Sequence, residues 1–203
     1  MADENPRSAP LDAARRALLP IAVGVVSGSV GFLLFRFGGD VDPGAWLRAP
    51  FGPAACLAAA IYFLAPPVRR GAAAAIGLAI GTYAAWFCAL RTALFLFDST
   101  QWGVLRPALV VLDGFESSFA RSGLAAGCVG SLGLFVTLAA ITPTLRSAWS
   151  AAALAICGTL AGLSLVLIDD YPAGMGQTLG TWALLAIWQA TMLVVISVRS
   201  RTI

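Results

Sequence analysis

Asp98–Arg121 reads DSTQWGVLRPALVVLDGFESSFAR and is the one long polar interruption in a chain otherwise made of apolar runs. It holds Asp98, Arg106, Asp113, Glu116 and Arg121, with Trp102 among them. Pro107 suits the first turn of a helix, and Ala108, Val111, Leu112, Phe115 and Phe119 then share one face at helical spacing. Asp113, Ser117 and Arg121 recur every fourth residue on another face. The pattern predicts a short amphipathic helix lying on the membrane surface, an outer ledge formed by Asp98, Arg106, Asp113, Glu116 and Arg121. A solvated connector would show the same pattern.

Three apolar runs precede this stretch and three follow it. Ala17–Phe35, Pro50–Val68 and Gly71–Leu90 come first, the last extended past Arg91 by Ala93–Phe97; Ser122–Ile141, Ser147–Ile168 and Gln177–Val198 come after. Each is close to the ~20 residues that cross a bilayer core. The fold class expected is all-α, a polytopic integral membrane protein with six transmembrane helices in a compact bundle. Continuous apolar runs, rather than alternating segments of about ten residues, argue against a β-barrel. A cytoplasmic tail over 1–16, a transmembrane domain over 17–198 and a cytoplasmic end over 199–203 complete the plan. Pro20 is expected in the first turn of the first helix, where its missing N–H costs little.

The composition agrees. The chain is 59% hydrophobic and 11% charged, with mean hydropathy +0.86, whereas soluble chains carry about 25% charged residues. Six spans put both termini on one side. Arg7, Arg15, Arg16, Arg69, Arg70, Arg146, Arg199 and Arg201 then share a face, which the positive-inside rule makes cytoplasmic. The opposite face collects Asp40, Asp42, Asp98, Asp113, Glu116, Asp169 and Asp170, with Arg36, Arg48, Arg91, Arg106 and Arg121 also on or near it. The location expected is the cell's inner (plasma) membrane, with Trp46, Trp102 and Trp182 near the outer boundary and Trp149 near the inner one.

All 13 basic residues are Arg, with no His and no Lys. That removes His-ligated haem, histidine zinc sites, Ser–His pairs and lysine Schiff bases. No carboxylate falls at mid-membrane, so a proton relay is hard to build. An enzyme, a metal, a cofactor and a nucleic-acid partner are therefore not expected. Cys56, Cys88, Cys128 and Cys157 lie inside apolar runs with no CxxC pair, and read as small hydrophobes.

Small residues four apart recur in the spans: Gly24/Gly28, Ser27/Gly31, Ala55/Ala59, Gly77/Gly81, Gly123/Gly127 and Gly158/Gly162. Such pairs let helices approach closely, within one bundle or between subunits. Gly28–Leu33 (GSVGFL) also resembles Gly130–Phe135 (GSLGLF), and at the same offset Trp86 falls on Trp188. The halves 17–97 and 122–198, joined by 98–121, thus read as a 3+3 inverted repeat of the kind transporters use.

The candidate ligand-binding residues are Gln189, Trp188, Arg91 and Arg36. Gln189 is the only amide inside a span rather than at its end, and an unpaired amide in hydrocarbon is costly, so it must bond either a neighbouring helix or a solute. Arg91 and Arg36 sit near outer helix ends, where Arg can snorkel to headgroups or hold an anion. The function expected is small-solute transport or substrate binding, with a cavity facing outward. The alternative is a non-catalytic membrane subunit or assembly factor. Its partners would be the lipid bilayer, other membrane subunits or a second copy held through Gly/Ala-rich faces.

Overall fold

The computed structural model describes residues 8–37, 50–64, 71–97, 118–168 and 175–199. These form six helices: α1 (Ser8–Phe37), α2 (Phe51–Leu64), α3 (Ala72–Phe97), α4 (Ser118–Ile141), α5 (Ala148–Gly162) and α6 (Met175–Arg199). No strand occurs among the described residues. Four stretches are long and apolar enough to cross a membrane: Ala72–Leu96, Phe119–Ile141, Ala148–Val166 and Leu179–Arg199. The apolar parts of α1 and α2, Leu18–Leu34 and Phe51–Phe63, are shorter.

Several boundaries move from the sequence reading. α1 starts at Ser8 rather than Ala17. Leu11, Ala13, Ala14, Arg15, Arg16 and Ala17 are strong helix formers with no glycine among them, so nothing halts the helix once Pro10 has opened it. Pro20 is therefore inside the helix and not in its first turn, where it removes one i→i−4 hydrogen bond. α3 runs unbroken through Arg91 to Phe97. α4 begins at Ser118, so Arg121 belongs to this helix; the other residues of the expected ledge, Asp98, Arg106, Asp113 and Glu116, lie outside the described residues.

α5 matches its expected span but in two geometries. Ser147 caps it, its Oγ accepting from the Ser150 N–H at 3.0 Å, and after Gly162 the chain tightens into a 3₁₀ helix over Leu163–Ile168. Between α4 and α5, Pro143–Leu145 forms a 3₁₀ turn that buries Leu145. Arg146 then folds back, donating through Nε to Ala139 O at 2.5 Å and through Nη2 to Ala140 O at 3.3 Å. It so satisfies carbonyls left open at the end of α4, where a cation also suits the helix dipole.

The helices pack in chain order round a closed ring: α1 on α2, α2 on α3, α3 on α4, α4 on α5, α5 on α6, and α6 back on α1. Glycines set the tightest seams. A Cβ on Gly24 would collide with the backbone of Ala190, and one on Gly28 with Ala186 and Leu185 O. On the other side of the ring, Gly123 and Gly127 of α4 lie against the carbonyls of Gly162 and Gly158 of α5; in the reverse direction Gly162 lies against Gly123 O and Gly158 against the Ser131 hydroxyl. Gly81 meets Thr137 across the α3–α4 seam. The exception is Ala55/Ala59, which is exposed; α2 packs instead through Ala54, Leu57, Ala58 and Ile61. Thr82 Oγ1 ties α3 to α2 through Ala54 O at 3.2 Å, while also donating to Leu78 O of its own turn.

The core is concentrated toward the Arg146 end. Leu57, Ile61, Leu78, Leu134, Leu138, Leu145, Leu154, Met192, Leu193 and Ile196 form one cluster there. α6 is the most enclosed of the four long spans.

Candidate functional site

The opposite end, where α2, α4 and α6 begin, is not filled. Here a cavity of about 180 Å³ separates α3 from α6. Trp86, Ala89, Leu90 and Ala93 of α3 form one wall, and Thr181, Leu184, Leu185 and Trp188 of α6 face them. Pro50 and Pro53 close the α2 side, and Gly123, Ala126, Gly127 and Gly130 the α4 side. The glycines that allow α4 to approach α5 so closely also leave this wall without side chains.

At the bottom of the cavity, Trp86 and Trp188 meet edge to face, with centroids 5.0 Å apart and planes at 61°. Such a pair contributes roughly 0.5–1.5 kcal/mol beyond area burial. Trp188 is 4% exposed. The Trp86 Nε1–H is buried without a hydrogen-bond partner, a cost of about 1–3 kcal/mol held at the site. Thr181 is the one wall residue with a polar side chain besides the two indoles.

Gln189 lies behind this wall. It is fully buried; its Nε2 donates to Pro53 O at 3.1 Å and its Oε1 accepts from the Ser27 hydroxyl. One amide thereby joins α6 to α2 and α1, and it positions Pro53, which does line the cavity. Gly31 leaves room for the contact, since a Cβ there would press on Pro53 Cα at 3.0 Å and reach within 3.6 Å of Gln189 Nε2. Nearer the mouth, Trp182 Nε1 donates to Ser29 Oγ at 3.0 Å, a second polar link between α6 and α1.

Of the four residues singled out in the sequence, Trp188 lines the cavity. Gln189 adjoins it with its amide already bonded to protein. Arg91 is exposed on a different face of α3, its guanidinium carbon 5.3 Å from the centroid of the Phe87 ring. Arg36 belongs to α1, and its side chain lies outside the described residues. Gln189 and Arg91 therefore do not share one cavity. Sequence reasoning gave no site role to Trp86, Pro53 or Thr181. A signal was present for the first: Trp86 and Trp188 fall mid-helix, away from the interfacial belts where tryptophan is usually found.

Among the described residues no group of His, Cys, Asp and Glu is placed to hold a metal ion. All four cysteines are free thiols; Cys88 is exposed and the others are half-buried. What the geometry defines is a multi-pass helical bundle with an apolar, aromatic-floored cavity at one end. No protein-family model, curated protein or solved structure matches the chain.

Proposed function

We propose that this chain is a small-solute binding or transport protein of the cell's inner membrane, taking a small uncharged ring compound into the cavity floored by Trp86 and Trp188. The observation that carries the reading is the contrast between the two ends: a filled core toward Arg146 and an open, apolar cavity toward Pro50. Dry apolar cavities of about 150 Å³ accept benzene, so a volume of about 180 Å³ suits one ring with a small substituent.

In this reading all six helices cross the membrane, both termini are cytoplasmic, and the cavity opens outward.

Acetophenone, a small uncharged ring compound, tests the reading. It should raise the Tm of the detergent-solubilised protein and quench tryptophan fluorescence. Ala93→Phe, which fills the cavity mouth, should abolish both responses while keeping the fold. Equal responses in the two proteins would sink the proposal.

A further inference from the structure

A separate feature, independent of the cavity, lies on the outward face of α3. Arg91 is exposed, although six apolar or weakly polar residues, Thr92–Phe97, follow it in the same helix. At 1.5 Å per residue it sits about 9 Å inside the helix end. Side chains of a helix lean toward its N-terminus, and the guanidinium does so here, resting over Phe87 one turn deeper. Phe87 is itself stacked on Tyr83, with centroids 6.2 Å apart and planes at 18°. The charge is thus held toward the middle of the span, the reverse of snorkelling. Among the described residues no carboxylate pairs with it.

Ionisable residues within transmembrane segments almost always face protein or a water-filled cavity, and pair with backbone carbonyls or with a counter-charge. The surroundings of Arg91 have room for one. Ile76, Ile80, Ala84, Cys88, Arg91 and Phe95 are all exposed along one face of α3, and α3 is the least covered of the four long spans, 22% of its window being buried. Ala84 and Cys88 form a shallow trough between Ile80 and Phe95, where another helix can approach closely. The glycine seams of the bundle are already occupied within the chain itself.

We infer that the exposed face of α3 docks a transmembrane helix of another protein that carries an Asp or Glu level with Arg91. The carboxylate pairs with the guanidinium, whose other face stays on the Phe87 ring, and the partner's backbone lies over Ala84 and Cys88. A membrane phosphate would sit at the helix end, away from the direction in which the guanidinium leans. A second copy is not favoured either, because none of the four long apolar helices of this chain contains an acidic residue.

The test uses the full chain in phosphatidylcholine vesicles with a synthetic Leu/Ala transmembrane peptide bearing one Glu about two turns from its end, read by energy transfer between labels. The Glu peptide should bind about tenfold more tightly than its Gln counterpart, and Arg91→Leu should erase that advantage. Ala84→Leu, which fills the trough and keeps the charge, should weaken both peptides. Equal binding of Glu and Gln peptides overturns the inference. So does self-association of the chain that Arg91→Leu abolishes, or stabilisation by phosphatidylglycerol that depends on Arg91 while the peptides show no preference.

Discussion

Gln189 Nε2 donates to the carbonyl oxygen of Pro53 at 3.1 Å, and through this bond the most enclosed helix holds a wall of the cavity in place. Pro53 lies within the first turn of α2, so its carbonyl is near the helix start, and a fully buried amide from α6 reaches it. The Ser27 hydroxyl completes the node from α1.

Replacing Gln189 with Leu should lower stability modestly. Interhelical hydrogen bonds in membranes average about 0.6 kcal/mol and reach about 1.7, and two are lost here. The change should show as a fall of a few degrees in detergent Tm. Ser27→Ala made on top of Gln189→Leu should add almost nothing, because its partner is already gone. A strictly additive pair would mean that the two residues do not form one node.

Glycine seams predict a sharp position dependence. Gly127→Ala and Gly158→Ala each thrust a methyl group into the facing helix, at Gly158 O and at Ser131 Oγ respectively, and overpacking of this kind costs about 1–3 kcal/mol. Gly71→Ala meets nothing within 4 Å and should be neutral. Tm values for the three variants check the order; a neutral Gly158→Ala would contradict the close α4–α5 approach.

Arg146 is exposed, yet it caps α4 through two carbonyls. Arg146→Ala should cost about 0.3–1 kcal/mol, the range typical of a surface cation at a helix C-terminus. Lys supplies the charge without the planar fork and should recover only part of this. Complete rescue by Lys would assign the effect to the dipole rather than to the hydrogen bonds. Thermal melts of the two variants separate these outcomes.

The proposed six-span topology is open to direct labelling in a variant freed of its four native cysteines. Single cysteines placed after Arg70 and after Arg146 should react only from the cytoplasmic side. Cysteines within 38–49 and 169–176 should react only from outside. One site on the wrong face breaks the topology.

Apolar runs long enough to cross a membrane dictate helices, because hydrocarbon leaves a backbone no other partner for its N–H and C=O groups. The residues alone therefore determined the all-α class, six helices and four of the long spans. Boundaries were less legible, since Ser8–Arg16 and Ser118–Arg121 join their helices by helical propensity and not by hydropathy. Sequence also marked Gln189 as a residue that must bond something, on the cost of an unpaired buried amide. The choice between Ser27 with Pro53 and a solute was made only by packing, because hydropathy and spacing carry no information on which helices become neighbours. The same holds for the tryptophans and for Arg91. Closing the ring from α6 onto α1 brought Trp86 and Trp188 together beneath the cavity and turned Arg91 to the outside, and those placements depend on helix rotation and register, which contacts distant along the chain decide.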